Sequence, residues 1–270
     1  LAGDLPRWKL FTTRFCIDRY ACSMAIRAVV FDLFDTLVDL SMEDLPRVQV
    51  RGREVPSTMG ALHKAVLEGK QITFDDFADA LIDVDQRHRK SHYDNDRELP
   101  TIERFRVLCE QIQLPHSEFA QRLTDVHMGM IHSCASTPAH HVDVMSSLAE
   151  KVRLGLCSNF SDSATARRIL TESGLGETLH SLVISEDVGI RKPHPGIFEA
   201  ILKELDVVPE ETLHVGDNLT ADVIGASGLG IRTVWITRRI ADPARALNQH
   251  QGPAPDFQIH DLAELESLID

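Results

Sequence analysis

Charged and polar residues follow short apolar runs at four places in the sequence, and their types could do chemistry. An aspartate carboxylate can act as a nucleophile, several carboxylates can bind a hard metal ion, and a lysine can pair with a carboxylate. Taken singly, each has a common structural explanation, such as helix capping by an aspartate. Their order along the chain, with a long insertion after the first, favours one functional site. The residues are Asp32 and Thr36 in "FDLFDTL", where the apolar Phe34 lies between them, Ser158 and Asn159 in "CSN", Lys192 in "RKPHP", and Asp217 and Asp222 in "GDNLTAD".

The elements that must position these residues alternate between strands and helices. Apolar runs typical of buried strands are "IRAVVFDLF", "KVRLGLCSN", "SLVISE", "ETLHVGDN", "IRTVWITR" and the weaker "DFQIHD". Helical patterns between them are "SDSATARRILTESG", "HPGIFEAILKELDV", "LTADVIGASGLG" and "DLAELESLI". This alternation predicts an α/β fold with a doubly wound parallel sheet, which binds ligands at the carboxyl ends of its strands.

The chain between the first two predicted strands has a different character. Residues 40–139 contain four helical patterns separated by polar or proline-containing joints, which predicts an all-helical cap over the strand ends. Residues 24–39 and 140–270 would then form the core. Residues 1–23 carry scattered arginines without a signal-peptide pattern, and Met24 begins a segment that runs directly into the first strand. We expect residues 1–23 to be a non-essential leader or an over-long gene start.

Together, these stretches resemble the haloacid dehalogenase-like hydrolase superfamily, in its subgroup with a helical cap after the first motif. The resemblance runs from Ala25 to Asp270 and is most specific between Ser185 and Arg238. It implies a Rossmann-like core and an enzyme that uses Asp32 as the nucleophile.

The resemblance also implies roles for the other residues. Mg²⁺ would be held by Asp32, Asp217 and the backbone carbonyl of Phe34, with Asp222 as a direct or water-mediated ligand. Lys192 would pair with Asp32 and hold the charge of the substrate. Ser158 and the Asn159 backbone N–H would bind the transferring oxygens, and Thr36 would fix the loop after the nucleophile.

Phe34 departs from the phosphatases of this family, which have an aspartate two residues after the nucleophile. That aspartate protonates the leaving oxygen and later activates water, and phenylalanine can do neither. Asp35 is adjacent, but side chains alternate along an extended chain, so we expect it to face away and stabilise the turn. Haloacid dehalogenases carry an aromatic residue at this position, because halide leaves without being protonated.

Three hypotheses follow from these features. The preferred one is a Mg²⁺-dependent phosphatase of a small phosphorylated metabolite, since Asp217 and Asp222 preserve the metal-binding motif. The second is a metal-independent 2-haloacid dehalogenase. The third is a catalytically degenerate relative that binds a phosphorylated ligand or a protein.

Composition limits the partners. The net charge of −13 argues against a nucleic acid or an anionic membrane as the main partner, and no apolar run reaches membrane-spanning length. A small anionic substrate is expected. Five cysteines without a CxxC pair predict neither a disulfide framework nor a zinc site, which fits a cytoplasmic protein. The sequence carries no signal for an oligomeric state.

Two histidine pairs stand out in the sequence, and one of them, His88 and His92, could bind a metal on a helix face. His88 and His92 lie four residues apart, but their charged surroundings favour a solvent-exposed helix face. His140 and His141 open a predicted core helix, and we expect them at the surface.

Overall fold

A computed structural model describes residues 25–269 of the chain. The predicted leader, Met24 and Asp270 lie outside the described residues. The strands are β1 (Ala28–Phe31), β2 (Asp39–Leu40), β3 (Arg47–Val50), β4 (Arg53–Pro56), β5 (Ala135–Ser136), β6 (Arg153–Ser158), β7 (Ser181–Ile184), β8 (Thr212–Gly216), β9 (Arg232–Ile236) and β10 (Phe257–Ile259).

The α-helices are α1 (Met59–Val66), α2 (Phe74–Ser91), α3 (Thr101–Gln111), α4 (His116–Ser133), α5 (Ala139–Ala149), α6 (Ser163–Ser173), α7 (Ser185–Val188), α8 (Pro195–Leu205), α9 (Gly225–Ser227) and α10 (Pro243–Gln249). Short 3₁₀ segments are Met42–Asp44, Tyr93–Asn95, Leu175–Thr178, Pro209–Glu211 and Leu262–Leu268. A π-helical segment, Leu219–Ile224, follows β8.

Six parallel strands form the central sheet in the order β10-β9-β8-β1-β6-β7. All four residues of β1 are buried, and alternate residues belong to different hydrophobic clusters. Val29 and Phe31 pack with α5 and α6, whereas Ala28 and Val30 pack with α8. Both faces of the sheet are therefore covered by helices, which confirms the doubly wound α/β prediction.

The insertion after β1 has its own hydrophobic cluster, to which α1, α2, α3 and α4 all contribute. The prediction that this insertion is all-helical is wrong, because β3 and β4 form an antiparallel hairpin within it. The turn residues Arg51 and Gly52 have φ values of 50° and 75°, the positive values that a tight hairpin turn requires. The short alternation in "RVQVRGREV" is the pattern that the helical interpretation overlooked.

The antiparallel pair β2–β5 joins the two ends of the insertion, with Asp39 opposite Ser136 and Leu40 opposite Ala135. The proposed cap limits of 40–139 stay a prediction. Among the helices of residues 25–269, none is both long and apolar enough to cross a membrane.

Candidate active site

Lys192 joins two of the predicted aspartates. Its Nζ donates to Asp32 Oδ1 and to Asp222 Oδ1, each at 2.7 Å. Asp32 follows β1, Asp222 lies in the π-helical segment after β8, and Lys192 lies between α7 and α8. The parallel sheet therefore brings together residues that are up to 190 positions apart in sequence, as their location after strands predicted.

Burial and the charges of neighbouring groups together shift the pKa values of Lys192, Asp32 and Asp222. Burial alone would lower the pKa of Lys192, but the charges of Asp222 and Asp32 outweigh it and raise that pKa. Burial raises the pKa of Asp32 more than the Lys192 charge lowers it. For Asp222, the Lys192 charge and a hydrogen bond from His214 outweigh burial, so its pKa is lowered. Lys192 and Asp222 thus form a buried ion pair beside Asp32.

Asp222 is also fixed from two further sides. His214 Nε2 donates to Asp222 Oδ1 at 2.9 Å, and the Asn218 backbone N–H donates to Oδ2 at 3.0 Å. Gly216 allows this approach, since a Cβ there would lie 2.2 Å from Asp222 Cγ. Sequence reasoning missed His214, although its place on β8, eight residues before Asp222, made it a candidate.

Asp217 completes a cluster of three carboxylates. Burial, followed by the charges of Asp32 and Asp222, raises the pKa of Asp217 to about 8. One oxygen from each of the three aspartates lies within 4.8 Å of the others, a spacing compatible with ligands of one metal ion. The all-oxygen donor set suits a hard cation such as Mg²⁺, and one lysine cannot neutralise three carboxylates. The residues present therefore fit a divalent metal ion.

The side chains of Asn159 and Ser158 differ in their hydrogen bonding. The Asn159 side chain accepts from the Lys192 backbone N–H at 2.7 Å and donates to the Lys192 carbonyl at 2.9 Å. It therefore holds the lysine in place. Ser158 is 1% exposed, and within residues 25–269 its hydroxyl has no hydrogen-bond partner. The buried Thr36 hydroxyl also has none among the described residues.

The turn after the nucleophile position is held by Asp35, as predicted. Asp35 adopts a φ of 56°, and its Oδ1 accepts from the Leu40 backbone N–H and from Arg239 Nε, both at 3.2 Å. Its backbone N–H donates to the Val38 carbonyl at 2.6 Å. The Asp35 carboxylate is thus committed to the turn and to an arginine.

A cavity of about 710 Å³ lies beside Lys192, between the insertion and the core. Arg191 stacks on the ring of Tyr93, with 4.3 Å between the guanidinium carbon and the ring centroid. The buried Glu98 lies 3.5 Å from Arg191 and accepts from Ser185 Oγ at 2.5 Å. Both signs of charge line the cavity, which would suit a polar substrate. Sequence reasoning missed this set of residues.

His88 also lines the cavity, and the prediction that it lies on a solvent-exposed face is wrong. It is 8% exposed, and burial, followed by the charge of His92, lowers its pKa. The buried residues Leu81, Val84 and His88 recur at helical spacing along α2. This spacing was the signal that the charged neighbours obscured.

Several proteins named as phosphatases or nucleotidases are similar in sequence to this chain. A glyceraldehyde 3-phosphate phosphatase of Pyrococcus furiosus is 25% identical over 216 residues, covering 78% of this chain and 80% of the relative. A phosphoserine phosphatase of Thermus thermophilus is 37% identical, over 44% of this chain and 46% of the relative. The pyrimidine 5'-nucleotidase YjjG of Escherichia coli is 29% identical, over 58% and 72% respectively.

Solved structures share the fold. A 2-haloacid dehalogenase from Pseudomonas syringae pv. Tomato superimposes with a TM-score of 0.68 at 20% identity, covering 90% of this chain and 98% of the other. A haloacid dehalogenase-like phosphatase from Thermococcus onnurineus superimposes with a TM-score of 0.60 at 21% identity, with the same coverage. The sequence profile of haloacid dehalogenase-like hydrolases matches residues 26–230. The chain therefore belongs to the haloacid dehalogenase-like hydrolases.

Proposed function

We propose that this chain is a Mg²⁺-dependent phosphatase that hydrolyses a small phosphorylated metabolite through a phosphoryl group carried on Asp32. The observation that carries the proposal is the aspartate cluster, in which three carboxylates lie close together and two of them pair with the buried Lys192. The names of three relatives, all of which act on phosphorylated compounds, support it.

The proposed metal ligands are Asp32, Asp217 and the Phe34 backbone carbonyl, with Asp222 contributing directly or through water. Bound Mg²⁺ would offset the negative charge of the phosphoryl group and of the carboxylates around it. Lys192 supplies a second positive charge, since its ammonium already lies 2.7 Å from Asp32.

Two displacements would complete the reaction. An Asp32 oxygen attacks phosphorus, and the bond from phosphorus to the leaving oxygen breaks with its electron pair. Water then attacks the same phosphorus, which releases inorganic phosphate and regenerates the Asp32 carboxylate. The Ser158 hydroxyl, which has no partner among residues 25–269, and the Asn159 backbone N–H would bind the transferring oxygens. The Asn159 side chain would hold Lys192 in place.

Phe34 restricts the substrate in this scheme. Because no carboxyl stands at this position, the leaving oxygen must depart without a proton from the enzyme or receive one from solvent. Leaving groups of low pKa would therefore react fastest. We place the reaction in the cytoplasm, because Cys109, Cys134 and Cys157 are free thiols, and we propose no nucleic-acid or membrane partner for so acidic a chain.

A second candidate is metal-independent 2-haloacid dehalogenation, and the specific observation that favours it is Phe34. In that reaction Asp32 attacks carbon, halide leaves unprotonated, and water hydrolyses the resulting ester. The carboxylates Asp217 and Asp222 would have no metal to bind, which is why the phosphatase proposal is preferred.

The test is phosphate release from an aryl phosphate with and without Mg²⁺, beside halide release from 2-chloropropionate in a metal chelator. Asp32→Asn serves as the blank for both. Mg²⁺-dependent phosphate release that the variant lacks would support the phosphatase. Halide release alone would replace it with the dehalogenase, and neither product from folded protein would leave a binding role.

A further inference from the structure

A second group of metal-binding side chains lies behind the nucleophile turn, apart from the aspartate cluster. It consists of His140 and His141 at the start of α5 and Asp261, which precedes the 3₁₀ segment Leu262–Leu268. One donor atom from each residue lies within 4.8 Å of the other two. We propose that these three side chains bind a transition-metal ion of the Zn²⁺ class.

The strongest support comes from the tautomer of His141. Its Nδ1 lies 2.8 Å from the Leu37 carbonyl oxygen, which can only accept, so Nδ1 carries the proton. Nε2 is therefore the unprotonated nitrogen, with its lone pair free. The ring is fully buried, and within residues 25–269 Nε2 has no hydrogen-bond partner. Histidines that ligate metals usually donate their other N–H to a carbonyl or carboxylate in this way.

His140 and Asp261 form the more open side of the site. His140 Nε2 lies 2.8 Å from Asp261 Oδ1, and the two side chains are 49% and 28% exposed. A metal ion would take the place of the hydrogen bond between them, with His140 Nε2 and Asp261 Oδ1 each offering it a lone pair. Solvent access at this side provides a route of entry and room for water as a further ligand.

The donor set selects the kind of ion. Two imidazole nitrogens and one carboxylate oxygen suit Zn²⁺, Co²⁺ or Ni²⁺, whereas Mg²⁺ prefers oxygen ligands throughout. The nearby guanidinium of Arg238 donates to both carboxylate oxygens of Asp39, so the charge of Arg238 is already balanced by that carboxylate. The expectation that both histidines lie at the surface is wrong for His141, which packs beneath the Leu37 carbonyl.

The Leu37 contact links this site to the nucleophile turn. Leu33 directly follows Asp32, and its carbonyl accepts from the backbone N–H groups of Leu37 and Val38, each at 2.9 Å. The proposal does not depend on the phosphatase assignment, because metal binding at these histidines can be measured without any substrate.

The test uses tag-free, full-length protein that has first been saturated with Mg²⁺. This protein is titrated with Co²⁺ and, in a second experiment, with Zn²⁺. Absorption of the bound Co²⁺ reports nitrogen ligands, and calorimetry gives the stoichiometry and affinity. The variants are His140→Ala, Asp261→Asn and His141→Gln, with Asp217→Asn to disable the aspartate cluster. The matched control is His132→Ala, because His132 Nε2 also lies 2.8 Å from a carboxylate, that of Glu172.

We expect one ion per chain in the wild type, in His132→Ala and in Asp217→Asn. His140→Ala and Asp261→Asn alter partly exposed side chains and should keep the fold, yet weaken binding by at least about tenfold. Unchanged affinity in both of these variants would overturn the proposal, whatever the fold of His141→Gln. Loss of all binding in Asp217→Asn would overturn it too, since the ion would then lie at the aspartates.

Discussion

The ring of Phe34 packs edge-on against the ring of Phe160, with 4.9 Å between centroids and 62° between planes. Both rings also pack against the hydrophobic cluster on one face of the sheet. An apolar contact therefore occupies the position two residues after Asp32, where a phosphatase needs a proton donor. The proposed restriction on leaving groups rests on this arrangement.

Replacing Phe34 with aspartate should restore acid–base catalysis. We expect Phe34→Asp to hydrolyse an alkyl phosphate at least about tenfold faster than the wild type, since a placed acid contributes about 10²–10⁴-fold. Hydrolysis of an activated aryl phosphate should change much less. Steady-state kinetics on both substrates check this.

The control for that prediction is Phe34→Asn, which has the shape of aspartate without its acidity. An equal gain in Phe34→Asn would mean that the loss of the ring, and not the new acid, is responsible.

Removing the Lys192 charge should destabilise the protein and abolish turnover. Lys192→Met leaves the buried Asp222 and the partly buried Asp32 without their shared cation. Breaking a buried ion pair typically costs about 3–5 kcal/mol. Urea denaturation in a metal chelator measures the loss. Lys203→Met, on the exposed face of α8, should stay within about 0.5 kcal/mol of the wild type. Similar stability of the two variants would show that the Lys192 ion pairs contribute little.

Asp217→Asn should stabilise the metal-free protein, increasingly so as pH rises. The folded state raises the pKa of Asp217 to about 8, so it holds this proton more tightly than the unfolded state does. Stability is therefore lost between about pH 4, near the unfolded pKa, and about pH 8. Asp217→Asn removes that loss. Its free energy of unfolding should therefore exceed that of the wild type by more than about 1 kcal/mol at the alkaline end of this range, because one pKa unit is worth about 1.4 kcal/mol.

Thermal melts of the wild type and Asp217→Asn across this range, in a chelator, measure the difference. Asp206→Asn is the matched control, since Asp206 is exposed and has a φ of 51°, which asparagine tolerates. A stability gap between wild type and Asp217→Asn that stays constant with pH would contradict the shift.

Ser158→Ala should separate activity from stability. Because the buried hydroxyl has no partner among residues 25–269, its removal breaks no hydrogen bond to these residues. The free energy of unfolding should stay within about 0.5 kcal/mol or rise slightly. If the hydroxyl binds a transferring oxygen, kcat should fall by about 10²–10³-fold, as for other lost oxyanion donors. Unchanged kcat in a folded variant would remove Ser158 from the mechanism.

The sequence predicted the meeting of Asp32, Lys192 and Asp222, because strands of a parallel sheet deliver their carboxyl ends to one edge. It also predicted the role of Asp35, since the turn that follows the strand determines where that side chain points. These features depend on local pattern and on sheet topology alone.

Contacts between the insertion and the core could not be predicted in this way. Glu98 reaches Ser185 across 87 positions of sequence, and no periodic pattern encodes such a pairing. The burial of His88 and His141 was missed for a related reason. Charged or adjacent polar neighbours suggested exposure, whereas the helix face and the Leu37 carbonyl decide it.

The most direct measurement is a rapid-mixing experiment with an aryl phosphate and Mg²⁺, quenched in acid before one turnover is complete. Phe34 cannot activate the hydrolytic water, so breakdown of the intermediate should be slower than its formation. We predict a burst of phenolate equal to the enzyme concentration, and mass spectrometry should find one phosphoryl group on the peptide that contains Asp32. Asp32→Asn should give neither. Phosphate release without a phosphorylated Asp32, or an undiminished rate in Asp32→Asn, would contradict the account.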